Sequence, residues 1–191
     1  MSAGRLYAVV GPSGAGKDTL MRIAARQRPD LHLVRRVITR SEMAGGEDFE
    51  GVTQAEFDAR RARGDFALTW TAHGMSYGIP ASVKLVLAAG SDAMFNGSRA
   101  ALAEAQAVFP ALVVLHITAR REVLAERLAA RGREAADDIA ERLARAAMPL
   151  PGGLRHVIEI DNSGDVASGV RALLDALDRA AQPTNLEAPR P

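Results

Sequence analysis

The sequence predicts an α/β fold: a parallel sheet with helices on both faces and a phosphate-binding loop after its first strand. Three observations predict it. Apolar, strand-like runs alternate with helical patterns along most of the 191 residues. The first run, Leu6-Tyr-Ala-Val-Val10, leads directly into Gly11-Pro-Ser-Gly-Ala-Gly-Lys17-Asp18. A helical pattern, Thr19-Leu-Met-Arg-Ile-Ala-Ala-Arg26, follows at once. Strand, glycine-rich loop and helix in that order are the context in which G-x-x-x-x-G-K carries meaning.

Gly11, Gly16 and Lys17 satisfy that spacing. The loop through Pro12, Ser13, Gly14 and Ala15 can curl until successive N–H groups face one anion. The helix that begins there adds the positive end of its dipole. Lys17 reaches the β and γ phosphates of a nucleotide, so ATP is the expected ligand. The residue after the lysine is ordinarily Ser or Thr, whose hydroxyl binds Mg²⁺. Here it is Asp18, with Thr19 next. A carboxylate is a hard oxygen ligand for magnesium, so Asp18 is the expected metal residue, or Thr19 if the register shifts. Its charge beside phosphates is tolerable only with the metal in place. The chain has 22 arginines and two lysines, Lys17 and Lys84. Lysine is thus kept where a compact ammonium on a flexible stem is wanted.

The elements follow in order. Residues 5–10 read as the first strand and 17–28 as the first helix, stopped by Pro29. Residues 33–38 read as one strand, and 41–51, acidic and glycine-rich, as a loop. Thr53-Gln-Ala-Glu56 is a capping box, so a helix starts there and ends at Gly64. Residues 66–72 look extended and 73–78 read as a turn region. Pro80 suits the first position of a short helix to Ala89. Then come a strand at 92–95, a helix at 99–108 and a strand at 112–118. Helices over 121–131 and 136–147 are separated at Gly132. A Pro/Gly loop at 148–153 leads to the last strand, 157–160, and the last helix, 166–180. Three prolines and little hydrophobicity predict a disordered tail over 182–191. Residues 1–181 form one domain, in which 40–80 break the alternation and read as an insert that binds substrate.

Bulk properties bound the function. At 48% apolar residues the chain can bury a real core. A net charge of +1 argues against a general nucleic-acid binder. The absence of cysteine excludes disulfides and thiolate metal sites. The first strand leaves no room for a signal peptide, and no apolar stretch approaches the roughly 20 residues of a membrane helix. A soluble cytoplasmic protein with neither nucleic-acid nor membrane partners is expected. Its oligomeric state is not set by the sequence, and a homodimer is one option.

On these motifs the chain resembles the guanylate-kinase-like P-loop kinases over nearly its whole length. Thr39-Arg40, Gly45-Gly46-Glu47, and Phe57 before Gly64-Asp65-Phe66 are similar to that family's substrate-binding insert. His73-Gly74 and Tyr77-Gly78 resemble its close. Arg127-Leu128, Arg131-Gly132, Ile139 and Arg142-Leu143 resemble its arginine-bearing helical lid, here about residues 127–146. Asp161-Asn162 is similar to the segment beside the adenine. The departures are informative. Where guanylate kinases carry a guanine-reading glutamate stands Leu68, which cannot accept guanine's N–H donors. Phe49 replaces a phosphate-contacting tyrosine, Met43 a second substrate arginine, and Met94-Phe95-Asn96-Gly97 an acidic pair. Together with Asn96-Gly-Ser-Arg99 and Arg131-Gly-Arg-Glu134, these substitutions resemble the ribose 1,5-bisphosphokinases. That resemblance implies transfer of the γ-phosphate of ATP to a small phosphorylated sugar, ribose 1,5-bisphosphate. The products would be 5-phosphoribosyl 1-diphosphate and ADP.

Phosphoryl transfer asks mainly for positioning and charge neutralisation. Lys17, Arg131 and Arg142 are therefore the candidate catalytic residues. For the two arginines the plain alternative is solvated helix-face charge. Arg36 and Arg40 suit the substrate's phosphates, with strand-end surface charge as the alternative. Arg99, just past a strand's C-terminal end, faces the expected cleft. Tyr77 either donates its hydroxyl to a phosphate or packs against the insert. Trp70 and Phe66 read as insert core, and His73 and His116 as structural. No general base is assigned, because the acceptor phosphate oxygen is already ionised. A nucleoside monophosphate (guanylate) kinase and a non-catalytic guanylate-kinase-like interaction module compete. Leu68 opposes the first, and the retained loop and lid arginines oppose the second.

Overall fold

In the computed structural model, which describes residues 3–41, 48–130 and 136–181, β1 (Leu6–Val10) is buried along its whole length. Successive strand residues point to opposite faces, so a strand buried on both sides reads as a continuous apolar run. Tyr7 and Val9 enter one core, with Leu20 and Ala24 of α1 (Lys17–Gln27) and Leu173 and Leu177 of α7 (Val166–Ala181). Leu6, Ala8 and Val10 enter the other, with Val83 of α3 (Val83–Ala88) and Leu102 of α4 (Leu102–Val108).

Around β1, five parallel strands pair in the order β2 (His32–Leu33), β7 (Ala93–Asn96), β1, β8 (Val113–Thr118), β9 (Val157–Asp161). Both neighbours of β1 come later in the chain. Loops at the C-terminal ends of β1, β7 and β8 therefore open a crevice of the kind that binds ligands in such sheets. A second sheet has the order β4 (Phe49–Gly51), β3 (Arg36–Ile38), β6 (Met75–Pro80), β5 (Phe66–Ala72). Helix α2 (Gln54–Arg63) lies between β4 and β5 in sequence. Thr53 Oγ1 accepts from the Glu56 N–H at 3.2 Å, the first half of the expected capping box, while the Glu56 carboxylate pairs with Arg60, and Gly64 ends the helix at φ 80°. Ile38, Tyr77 and Trp70 form one cross-strand row and Ile79 and Leu68 another. By the two-residue period Arg36 shares that face. The two remaining helices are α5 (Arg121–Ala130) and α6 (Ala136–Ala146).

Several expected elements differ. The run 33–38 is two strands: the chain pairs with β7 through Leu33, then enters the second sheet at Arg36. One uninterrupted apolar-basic pattern carries no mark of that change. The second sheet accordingly begins before residue 40. Residues 49–51 pair with β3 rather than lying wholly in a loop. A three-residue edge strand is too short to show alternation. The turn expected over 73–78 is confined to His73 and Gly74, at φ 52° and 72°. Positive φ at both centres suits a two-residue hairpin. Gly78 instead pairs within β6, and it is glycine there because a Cβ would sit 2.6 Å from the Phe66 ring. Pro80 closes β6, and the helix begins three residues later. Residues 99–101 form a 3₁₀ turn before α4. Arg131, Gly132, Arg133, Met43, Gly45-Gly46-Glu47 and the tail 182–191 lie outside the described residues. No helix among the described residues is long and apolar enough to cross a membrane.

Candidate active site

The phosphate loop runs from the end of β1 to α1. Gly11 has φ 153°, and a Cβ there would meet the Ile117 carbonyl oxygen at 2.1 Å. Gly16 caps α1 in the left-handed region, φ 87° and ψ 14°. Only glycine adopts both positions without strain. Lys17 Nζ donates back to the carbonyls of Gly11 and Pro12, at 2.9 and 3.1 Å, closing the ring of the loop. Asn162, 3% exposed, donates Nδ2 to the Ala15 carbonyl at 2.7 Å from beneath.

This loop forms one wall of a cleft of about 720 Å³. The second sheet forms the facing wall with Arg36, Arg40, Trp70 and Tyr77, and α6 contributes Glu141, Arg142 and Arg145. Among the described residues six cations line it: Lys17, Arg36, Arg40, Arg99, Arg142 and Arg145. Glu141 is the one carboxylate among the described lining residues, and Arg145 Nη2 lies 2.9 Å from it. Such a surface attracts polyanions.

Arg36 is 7% exposed, with its guanidinium 5.5 Å from the centre of the Tyr77 ring. Tyr77 in turn stacks on Trp70, with centroids 5.2 Å apart and planes within 4°. Trp70 also meets Phe95 at 6.4 Å. Trp70 is thus both core, as expected, and part of the cleft wall. Phe66 is packed on Phe57 at 4.7 Å. The Arg40 guanidinium lies 4.7 Å from the centre of the Phe49 ring. Leu68 is 3% exposed among apolar groups, including Val34 and Ile79, and offers the cleft no acceptor.

On the α6 side, Arg142 Nη1 donates to Ser13 Oγ at 2.8 Å, tying helix to loop. Arg99 lines the cleft, but its Nη2 donates to the Arg145 carbonyl at 2.7 Å and its Nη1 to the Met148 carbonyl. The Arg145 carbonyl lies in the last turn of α6, where it also accepts from the Met148 N–H at 3.2 Å, and Met148 lies just past the helix. Asp18 Oδ1 accepts from Asn96 Nδ2 at 2.7 Å, across from the end of β7. No group of three or more His, Cys, Asp or Glu side chains that could hold a metal exists among the described residues. A magnesium ion held by one carboxylate, phosphate oxygens and water fits this donor set, because Mg²⁺ dehydrates reluctantly. His116 packs in β8, its Nδ1 3.7 Å from Glu159; burial pushes its pKa below the usual imidazole value.

The structure therefore brings Gly11, Pro12, Ser13, Lys17, Arg36, Arg40, Tyr77, Arg99 and Arg142 to one cleft. Gly14, Ala15, Gly16, Asp18 and Thr19 stand just behind it in the loop and first turn. Sequence reasoning misses the Arg142–Ser13 and Asn96–Asp18 pairs and the Asn162 contact, which join residues 129, 78 and 147 positions apart.

Comparison with known proteins agrees with this geometry. No family model matches the chain. Ribose 1,5-bisphosphate phosphokinase PhnN of Rhizobium etli (strain CIAT 652) is 50% identical over 178 residues, 92% of this chain and 90% of its own length. The protein of that name from Agrobacterium fabrum (strain C58 / ATCC 33970) is 46% identical over 179 residues, 92% of this chain and 97% of its own length. Among solved structures, guanylate kinase from Anaplasma phagocytophilum superposes with a TM-score of 0.69 at 17% identity, covering 96% of this chain and 89% of its own. That likeness shows the guanylate-kinase-like fold. With half its residues shared along nearly the full length of such relatives, the chain belongs to the PhnN ribose 1,5-bisphosphate phosphokinase family.

Proposed function

We propose that the protein transfers the γ-phosphoryl group of ATP to the 1-phosphate of ribose 1,5-bisphosphate, giving 5-phosphoribosyl 1-diphosphate and ADP. The observation that carries this reading is the cleft itself: a phosphate loop on one wall, buried Arg36 and half-buried Arg40 on the other, and cations in clear excess. Ribose 1,5-bisphosphate carries about four negative charges, which so cationic a cleft can neutralise. The region where a purine would be read holds apolar Leu68 and the stacked Trp70 and Tyr77. Arg36 and Arg40 line the same cleft, and guanidinium groups suit phosphates.

The chain's residues divide the work. The loop from Gly11 to Lys17, with Thr19 in the first turn, holds the nucleotide phosphates, and Lys17 leaves its carbonyl partners for the β and γ oxygens. Arg36 and Arg40 hold the acceptor's phosphates, and Tyr77 orients Arg36. An acceptor oxygen then forms a bond to the γ phosphorus as the bond to the β-γ bridging oxygen breaks. The bridging electrons leave with ADP. The attacking oxygen is already ionised, so the site needs no general base. Arg142, with Arg131 of the same lid, steadies the equatorial oxygens in flight. Asp18, oriented by Asn96, holds Mg²⁺. When bound, the ion neutralises charge on the β and γ oxygens.

Phosphorus NMR of the mixture of protein, Mg-ATP and ribose 1,5-bisphosphate tests the proposal. A new diphosphate at the anomeric carbon is the expected result. GMP turnover at equal or better efficiency, or an unchanged acceptor, rejects it.

A further inference from the structure

We infer that Asn162 is a positioning residue for the phosphate loop: its side-chain amide fixes the Ala15–Gly16 peptide so that the Gly16 N–H faces the nucleotide phosphates. This rests on the nucleotide binding proposed above and adds what holds the loop in its binding shape. Asn162 follows β9, and its backbone N–H donates to the Thr118 carbonyl at 2.8 Å, so the sheet anchors it. Its Nδ2 donates to the Ala15 carbonyl at 2.7 Å. In a planar trans peptide the C=O and N–H point in opposite directions. Holding the Ala15 oxygen beneath the loop therefore aims the N–H of the next residue, Gly16, to the other side.

The peptide needs such a restraint. Its orientation turns on ψ of Ala15 and φ of Gly16, which stands at 87°, and glycine crosses between φ regions at little cost. A flipped peptide would present a carbonyl oxygen where an N–H should meet a phosphate. The space for Asn162 is built from two sides. A Cβ on Gly16 would stand 2.7 Å from Nδ2, and a Cβ on Gly169 of α7 2.2 Å from Oδ1. Oδ1 is buried, and no hydrogen-bond partner for it exists among the described residues. The Ala15 carbonyl thus decides which end of the amide faces the loop. An unpaired buried acceptor is costly, and it is retained beside a bond the loop requires.

The test compares Asn162→Ala, Asn162→Asp and Gly169→Ala with the wild-type protein by calorimetric titration with ADP and with AMP, which lacks the β phosphate. The expected result is an ADP affinity lowered about tenfold or more in Asn162→Ala, the scale of one lost hydrogen bond. AMP affinity and the KM for ribose 1,5-bisphosphate stay within about twofold. Asn162→Asp, which sets a carboxylate against the Ala15 oxygen, loses more. Gly169→Ala, which leaves the amide chemically intact but displaces it, shows the same selective loss even if the Asn162 variants fold poorly. Wild-type ADP affinity in the variants overturns the inference alone, as do equal losses for ADP and AMP, which would mark a packing residue. A wild-type protein that binds no ADP overturns the proposed function and the inference with it.

Discussion

Arg36 shares its face with Ile38, Ile79, Leu68 and Trp70, all buried, and with half-buried Tyr77. Burying a guanidinium there is expensive unless anions and acceptors compensate it. Replacing it with Ala should raise the KM for ribose 1,5-bisphosphate about 10- to 100-fold, the scale of a charge-assisted hydrogen bond, and leave the KM for ATP unchanged. Arg36→Lys should recover only part of the loss, since an ammonium lacks the planar fork and does not stack on Tyr77 in the same way. A rise in the ATP KM instead would move Arg36 to the nucleotide. Lys17→Ala should lower kcat by at least about 10²-fold and move the thermal midpoint little, because the two carbonyls to which Nζ donates belong to the loop itself. His116 supplies a pH test. Burial depresses its folded pKa, while the nearby Glu159 opposes that shift. The unfolded chain therefore binds the proton more readily. Stability is full above the unfolded value of about 6.5 and falls as pH drops from there through the folded pKa. Denaturant melts between about pH 7 and 5 should show that loss, and His116→Gln should flatten it.

At the scale of elements, α6 is fastened twice, by Arg142 to Ser13 and by Arg99 to the carbonyls of Arg145 and Met148. A cation at a helix C-terminus also meets the negative end of the dipole. Arg99→Ala should speed trypsin cleavage within α6 and lower kcat more than it raises the acceptor KM. The reverse split would return Arg99 to the phosphate-binding role expected from its place after β7. In the β5–β6 hairpin, Gly78→Ala should cost about 1–3 kcal/mol by overpacking, and Phe66→Leu in the same chain should restore part of it. Thermal denaturation of the two variants checks both. These contacts also mark the limit of sequence reading. The phosphate loop is legible because Gly11, Gly16 and Lys17 act within seven residues and their spacing is their geometry. The capping box at Thr53 is legible for the same reason. The break between β2 and β3, and strand β4, are not, because two or three residues show no period and their pairing is set by distant chain. Arg99 is placed correctly in the cleft wall, yet its partners are backbone carbonyls that any residue carries. Asn162 is noticed beside Asp161, but nothing in the sequence names Ala15 as its acceptor. Resemblance supplies what periodicity lacks at Leu68: the structure then shows that side chain facing core.

For the molecule as a whole, charge is concentrated rather than abundant. The chain carries a net charge of only +1, but six cations converge on one cleft, and much of the remaining charge is paired locally, as in Arg60 with Glu50 and Glu56 or Arg28 with Asp30 and Asp178. The attraction felt by a highly charged acceptor therefore comes from the cleft, not from the surface average. Salt screens it over a length that falls from about 30 Å at about 0.01 M to about 8 Å at about 0.15 M. Across that range kcat/KM for ribose 1,5-bisphosphate should fall severalfold, while kcat at saturation changes little, since bound phosphates inside the cleft are screened less. Arg145→Gln removes a cation that lies at the rim, paired to Glu141 and exposed. It should flatten the salt dependence slightly without altering kcat. Arg36→Gln removes a buried one and should lower affinity at every ionic strength. Steady-state kinetics at several potassium chloride concentrations separates the two cases. A salt-independent kcat/KM in the wild-type protein would mean that the cleft neutralises its own charge before the acceptor arrives, and that the convergence of arginines serves packing rather than capture.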